Sequence, residues 1–564
     1  MENKTIARTL RLLSQLMELH NENAFKIRSV ANAALKIDKL PYRLADKSLE
    51  QMNQIDGIGK SIATKVNELL QTGTLIDLED LLAETPSGVV DMLRIKGIGP
   101  KKVATIWHDL EIENIGELYY ACNENRLVSA KGFGTKTQDE IRRILEFKMA
   151  NNGKFLYAQA EPEAEFLIGQ LNALFPEALI EFTGEYRRYD ETIRELTILV
   201  GTRNYELELT SLQATDLLQQ QTTDHATISG ITENGLPVAI TVVEKTNFYK
   251  ELFLQTGSEA HIQAVLARIN GNIDQIVNEE LIYEKAGLEW MPPELRDGTE
   301  YIERAEQNAL PVLINYHDLK GTLHNHTNWS DGINTLQEMA LYCRDQLKLE
   351  YLGICDHSKS AFYANGLSAE RVLQQQAEID KLNAGLGDSF HIFKGIESDI
   401  LNDGSLDYPD DILHTFDFIV ASVHSNLKMD EDKATARLIK AIENPYTTML
   451  GHPTGRLLLS RSGYPINYKK VIDACAANNV IIEINANPLR LDLDWRWCQY
   501  AISKGVLLSI NPDAHRVNGF ADMQYGIYVA RKAGLSIKDC FNALPLTNVK
   551  AAFAAKKPKV FAKI

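Results

Sequence analysis

The residues best suited to chemistry are gathered late in the chain. Nine of the thirteen histidines fall beyond residue 316. Most lie in short stretches with acids and small polar residues: TLHNHTNWSDG (322–332), ICDHS (354–358), KGIESD (394–399), ASVHSN (421–426), GHPTGR (451–456), EINANP (483–488) and INPDAHR (510–516). His324 and His326 alternate, so on an extended backbone both imidazoles face one side. Asp513 and His515 repeat that spacing, and Asp331, His357, Glu397, His424 and His452 complete a set of candidate ligands. Imidazole and carboxylate without thiolate suit Zn, Mn or Fe, and the hard carboxylates keep Mn and Mg in contention. The set is too large for one ion, whereas several ions sharing a bridging carboxylate would use it. Clustered divalent ions suit phosphate-ester hydrolysis, because one lowers the pKa of a water while the others hold phosphate oxygens and leaving group. His391 and His414 lack such surroundings and read as ordinary core or surface histidines.

The elements that must position these residues are legible as alternation. From 319 to 564, apolar strands (YLGIC, FHIFKGIE, FDFIVASVH, TMLGH, NVIIEIN, VLLSIN) alternate with helices expected after Asp331, Ser368, Asp430, Asn467 and Ser536. That pattern predicts an α/β layered fold or barrel, with the polar motifs at the C-terminal strand ends where such folds place their chemistry. Residues 151–245 read as a small α+β domain with strands in LIEFTGEYRR, LTILVGT and LPVAITVVE. The stretch 246–300 is mixed and ends in MPPELRDG, whose double proline stops a helix.

The first 150 residues read as short helices punctuated by three glycine turns, QIDGIGKSIATKV (54–66), RIKGIGPKKVATI (94–106) and SAKGFGTKTQDEI (129–141). Glycines permit a sharp turn, and the helix that follows offers free N–H groups to a phosphate. Gly57, Gly59 and Lys60 form the first turn, Gly97, Gly99, Lys101 and Lys102 the second, and Gly132, Gly134 and Lys136 a degenerate third. The pattern resembles the helix-hairpin-helix motif, which holds a DNA backbone without reading bases.

Charge and composition narrow the classes. The net charge of -17 argues against indiscriminate coating of a polyanion. Residues 1–110 hold 15 Lys+Arg and 14 Asp+Glu, a net of +1, which leaves -18 for the rest. Nucleic-acid contact is therefore expected locally, near the N-terminus. Six scattered cysteines without a CxxC pair argue against a disulfide framework or thiolate zinc cage and fit a reducing cytoplasm. No apolar run reaches the roughly 18 residues of a membrane span, and the start lacks the features of a secretory signal. A cytoplasmic monomer without membrane contact is expected.

Two family resemblances follow from these motifs. HxHxxxxD, DH, the Glu of GIE, SVH, GHPTGR and PDAH resemble the PHP (polymerase and histidinol phosphatase) domain over 319–564. The resemblance implies a distorted (β/α)7 barrel and three divalent ions, Mn or Zn or possibly Fe. His324, His326, Glu397 and Asp513 would hold one; Glu397, His424 and His452 the second; Asp331, His357 and His515 the third. It implies Arg456 as a phosphate clamp, a task its fork suits. The first 300 residues resemble a bacterial family X DNA polymerase through the three glycine turns, GEYRRYDETIRELTILV (184–200), GLPVAITVV (235–243), QTGSEAH (255–261) and GLEWMPPELRDG. The implied domains are an N-terminal lyase-like helical domain (1–85), a fingers-like domain (86–150), a degenerate palm-like nucleotidyltransferase domain (151–245), a thumb-like domain (246–300), a linker (301–318) and the PHP domain (319–564). Lys65 aligns with the family's Schiff-base lysine, which would attack an abasic-site aldehyde.

The polymerase chemistry does not carry over. The family's palm uses GS, RR, a DxD pair and a third Asp to hold two Mg²⁺ ions. Here Glu185 replaces the serine, Glu195 and Thr197 stand at the DxD positions, and Ala239 stands at the third. Arg187 and Arg188 are retained. Loss of two of three carboxylates removes tight Mg²⁺ binding, and Glu185 places a negative charge beside a triphosphate. The expected function is thus a DNA-repair protein in which helix-hairpin-helix turns hold gapped, nicked or 3′-ended DNA. Its PHP domain would act as a metal-dependent 3′–5′ exonuclease, and its polymerase core would be idle. The alternatives are an active gap-filling polymerase with a proofreading PHP domain, a small-molecule phosphatase, and a non-enzymatic DNA-end scaffold.

Overall fold

The computed structural model describes residues 1–558 apart from 96, 129, 150–152 and 275. Ser129, which opens the third glycine motif, and 559–564, the end of the PHP-like span, lie outside the described residues. The chain divides into two compact units, Met1–Glu146 and Phe147–Ile564.

The first unit is helical. Helix Asn3–Leu19 buries Ile6, Leu10, Leu13 and Met17, a spacing of four, three and four that lines one face. The three glycine turns share one geometry. Ile58 N donates to Ile55 O (2.9 Å), Ile98 N to Ile95 O (3.2 Å) and Phe133 N to Ala130 O (3.1 Å). The third residue of each turn is Gly57, Gly97 or Gly132, at φ 79, 89 and 90°, the left-handed conformation that a type II turn demands there. The second glycines have another purpose. Gly59 and Gly99 are extended and cap helices Lys60–Thr72 and Pro100–Ala104. A Cβ at Gly59, Gly99 or Gly134 would meet no atom within 4 Å. Internal packing does not require these glycines; they keep bare backbone open at the helix starts.

In the second unit a five-stranded sheet runs in the order Leu179–Phe182, Leu196–Thr202, Pro237–Glu244, Thr227–Ile231, Gln219–Asp224. Leu196–Thr202 and Pro237–Glu244 pair in parallel, and the other three pairs are antiparallel. Helices Phe248–Thr256, Glu259–Leu266 and Glu280–Lys285 follow, and Phe253, Val265, Ile282 and Tyr283 are buried between them. The span 301–318, expected as a linker, is packed structure. Tyr301, Ile302 and Ala305 join the same core, and Ile314 N donates to Leu535 O at 2.9 Å. Apolar residues spaced one helical turn apart gain more from burial than from a solvated connector.

The last part carries two parallel sheets. One orders His391–Lys394, Tyr351–Ile354 and Gly321–Thr322; the other orders Glu397–Asp399, Val420–Ser422, Met449–Leu450, Ile481–Asn485 and Leu508–Asn511. Single parallel bridges, His357↔Glu397 and Asn325↔Ala514, link segments that leave the first sheet to the second. The strands expected in a (β/α)7 barrel thus fall into a three-stranded and a five-stranded parallel sheet. The covering helices begin where side-chain caps are available. Ser368, Asp430 and Asn467 each accept from the backbone N–H three residues on, satisfying donors that the helix leaves orphaned. The helix expected after Ser536 is only the short turn Ile537–Asp539, because Cys540 returns at once to bridge Leu508. No helix among the described residues is long and apolar enough to cross a membrane.

Candidate metal centre and the altered palm

Each candidate ligand lies on a segment leaving the C-terminal end of a parallel strand or, for Glu397, at a strand start that continues from His391–Lys394. All nine converge, and all are buried or nearly so. Glu397 is the hub. Its Oε1 lies 3.4 Å from His324 Nε2, 3.1 Å from His424 Nε2 and 2.9 Å from His452 Nε2; its Oε2 lies 2.9 Å from His357 Nδ1 and 3.7 Å from His326 Nε2. Asp513 Oδ1 sits 3.0 Å from His326 Nε2 and 3.5 Å from His324 Nε2. Asp331 lies 3.4 Å from both His357 Nε2 and His515 Nε2. Three ligand groups, His326–Asp331–His357–His515, His324–His326–Asp513 and His357–Glu397–His424, each place their donor atoms within 4.8 Å of one another.

Charge balance in this dry site sets the protonation. Burial alone would push the Glu397 carboxyl up, but His424, His324 and His357 hold it well below the usual carboxylate range. Asp331 and Asp513 are held down in the same way by neighbouring imidazoles. Burial opposes protonation of His324 and His357, yet the facing acids push both upward. His326, desolvated and packed against His515 and His357, is lowered to about 3. The acids thus call for positive charge that only some rings can supply as protons. His324 Nε2 and both ring nitrogens of His326 and of His357 are buried without a hydrogen-bond partner. Buried nitrogens of that kind are costly unless something accepts their lone pairs. Imidazole nitrogens and hard oxygens in one pocket fit a divalent metal ion.

Two carboxylates behind the ligands were not singled out by sequence. Glu483 Oε1 accepts His324 Nδ1 at 2.7 Å, and Asp399 Oδ1 accepts His424 Nδ1 at 2.5 Å. The signal was present in KGIESD and EINANP, since Asp399 follows Glu397 by two residues and shares its strand face. Arg456 goes elsewhere than expected. Its guanidinium donates to Arg490 O (2.8 Å), Asp494 (2.7 Å), Glu191 (2.5 Å) and the Leu491 carbonyl. None of these is a cluster residue.

A helix-hairpin-helix domain model matches residues 1–75, and a SAM-like helix-hairpin-helix tandem matches residues 89–146. The chain is 32% identical over 573 residues to the DNA polymerase/3′-5′ exonuclease PolX of Bacillus subtilis (strain 168), a match covering 98% of this chain and 99% of that protein. The chain belongs to the bacterial family X DNA polymerases that carry a C-terminal PHP domain. It is also 28% identical over 179 residues to a probable phosphatase of Thermoanaerobacter sp. (strain X514), spanning 30% of this chain and 70% of that one. A probable phosphatase of Clostridium acetobutylicum is 34% identical over 134 residues, 22% of this chain and 52% of that one.

Within this family the palm positions can be placed. Thr197 and Ala239 are Cα partners on adjacent parallel strands, so the two side-chain positions lie next to each other and neither is a carboxylate. The Thr197 hydroxyl accepts from Thr183 at 2.8 Å. Glu195 is raised by burial and by Glu185 beside it, while Glu185 accepts from Arg194 N at 2.8 Å. The two arginines are committed to the protein. Arg187 forks onto Glu279 (3.1 and 2.6 Å) and bonds the Thr256 hydroxyl (2.7 Å). Arg188 holds Asp190 and Asp297 (both 2.8 Å). In the helical unit, Lys65 Nζ is engaged by Asp77, and Lys102 Nζ lies 5.4 Å from the Phe133 ring centre, which ties the second turn to the third.

Proposed function

We propose that the PHP domain is a metal-dependent 3′–5′ exonuclease on gapped, nicked or 3′-ended DNA, acting in repair, and that the polymerase core no longer joins nucleotides. The carrying observation is Glu397, whose two oxygens face five imidazoles in a buried pocket. His324, His326, Asp331, His357, Glu397, His424, His452, Asp513 and His515 would hold three divalent ions, Mn or Zn. Such ions, when bound, supply Lewis-acid activation of water and neutralise a phosphodiester's charge. The chain's own part is to fix the ligand rings, to keep Asp331, Glu397 and Asp513 ionised, and to bury the cluster away from bulk water. The Bacillus relative, a DNA polymerase and 3′-5′ exonuclease by name, supports this activity. The probable-phosphatase relatives support phosphoester chemistry in general. A small-molecule phosphatase has no use for three glycine turns that keep bare backbone open at helix starts.

The test is a 3′-recessed, end-labelled duplex incubated with Mn²⁺, with and without all four nucleotides. Shortening in both reactions is the expected result; lengthening with nucleotides would refute the idle palm, and an unchanged primer would refute the nuclease. The DNA grip is tested separately. Lys101→Glu together with Lys102→Glu should weaken binding to gapped DNA and reduce the salt slope by about 2, one for each phosphate that the two lysines neutralise. Unchanged binding across a salt series would reduce the turns to plain connectors.

A further inference from the structure

The metal pocket is not uniform, and the difference lies behind the ligands. On one side, His324 and His424 each turn Nε2 toward Glu397 and rest Nδ1 on a carboxylate outside the ligand set, Glu483 at 2.7 Å and Asp399 at 2.5 Å. With a metal ion in the pocket, the nitrogen facing the outer carboxylate would keep the proton, leaving the Nε2 lone pair for the metal. Both carboxylates are themselves anchored. Glu483 accepts the His452 backbone N–H (2.8 Å) and the Asn511 amide (3.1 Å). Asp399 accepts the Ser360 hydroxyl (2.6 Å). Both are buried, so neither can swing away without leaving donors unpaired.

The other side is built differently. Asp331 is the one acid that His326, His357 and His515 share there. His357 faces Asp331 with Nε2 and Glu397 with Nδ1. His326 likewise faces Asp331 and Asp513 with its two nitrogens. A neutral imidazole offers one lone pair only, and among the described residues no carboxylate outside the cluster fixes which nitrogen of these two rings carries it. His515 Nδ1 lies 2.9 Å from the Asp513 carbonyl, and the Asp513 carboxylate, itself a candidate ligand, lies 3.9 Å from the same nitrogen.

We propose that Glu483 and Asp399 are positioning residues that lock the Nε2 lone pairs of His324 and His424 toward Glu397, making that half of the pocket hold metal tightly while the Asp331 half exchanges it. The inference rests on the metal-centre reading above and concerns retention rather than turnover. A carboxylate behind a metal-binding imidazole raises its basicity and removes the cost of orienting it. Loss of such a partner characteristically lowers metal affinity by about 10–100-fold.

The experiment reads metal directly on the full chain. Protein loaded with Mn²⁺ is dialysed against rising chelator, and retained metal is measured by elemental analysis without DNA present. The parent should release Mn²⁺ in two steps. Asp331→Asn should remove the early step and leave the late one. Asp399→Ala and Glu483→Ala should shift the late step about 10–100-fold toward the early one. Asp399→Asn should restore part of the retention, because its amide oxygen still accepts His424 Nδ1–H and its NH₂ can donate to the rotatable Ser360 hydroxyl. Melting of the metal-free chain separates positioning from folding, and it should be the same for Asp399→Asn and the parent. Parent-like late release in both alanine variants overturns the proposal, as does a single release step in the parent. A chain that releases metal in two steps but leaves DNA intact would sink the nuclease reading and leave this one standing.

Discussion

Glu397→Gln should abolish DNA shortening by more than about 100-fold, beyond what loss of a partner behind a metal ligand costs. The reason is where the carboxylate stands. Oε1 faces three imidazole nitrogens at 2.9–3.4 Å and Oε2 faces two more at 2.9 and 3.7 Å. Glutamine keeps the shape but removes the negative charge and places an NH₂ against at least two of those rings. Whichever way the amide turns, one face of the pocket meets a donor where it had an acceptor. The remaining acids, Asp331 and Asp513, do not replace it, because they pair with His324, His326, His357 and His515 while His424 and His452 face Glu397. His424→Ala should act in the same direction. The measurement is loss of end-labelled DNA over time with Mn²⁺, alongside metal content and melting temperature. Retained shortening by a folded Glu397→Gln protein would remove the pocket from the reaction.

The second large effect concerns how the palm and the PHP domain are held together. Lys532 ends helix Met523–Lys532 and is 1% exposed. Its ammonium donates to Arg188 O (2.9 Å), to Asp190 (2.7 Å) and to Asp297. Arg188 binds the same two carboxylates, so two cations and two anions form one closed group. Lys532→Met should destabilise the second unit by about 1–3 kcal/mol, the cost of removing one charged partner from a half-buried group whose acids Arg188 still holds. Lys532 Nζ also lies 5.3 Å from the Trp495 ring centre, a cation–π contact that methionine loses. Denaturant unfolding checks this. The double variant with Asp190→Asn should recover part of the loss if the charges act as a group. A Lys532→Met protein within about 0.5 kcal/mol of the parent would reduce the group to incidental surface pairing.

That junction also explains what became of two sequence expectations. Arg188 is retained from the family's nucleotide site, open in sequence to a role in the fold or on a DNA backbone, and the family resemblance implies Arg456 as a phosphate clamp. In the fold both face acids of a neighbouring segment, Asp190 and Asp297 for one and Glu191 and Asp494 for the other. A guanidinium binds phosphate and carboxylate with the same fork. The motif therefore states what the side chain can hold, and only the partner that arrives states what it does hold. Spacing likewise marked the glycine turns, because a positive φ at Gly57, Gly97 and Gly132 is a demand that few other residues meet. Glu483 and Asp399 are visible in EINANP and KGIESD, but no spacing says which histidine each will stand behind.

The sequence alone determined the ligand types, the strand-and-helix alternation that delivers them, and the absence of two palm carboxylates. These are properties of residue identity and local period, which short stretches express without help from the rest of the chain. The tertiary structure decided which nitrogen of each histidine turns inward, which acid stands behind it, and that the arginines are spent on a junction. Those choices depend on pairings between residues far apart in the chain, such as His324 with Glu483 and Lys532 with Asp190. No local rule fixes them, because burial and charge balance act on the assembled whole.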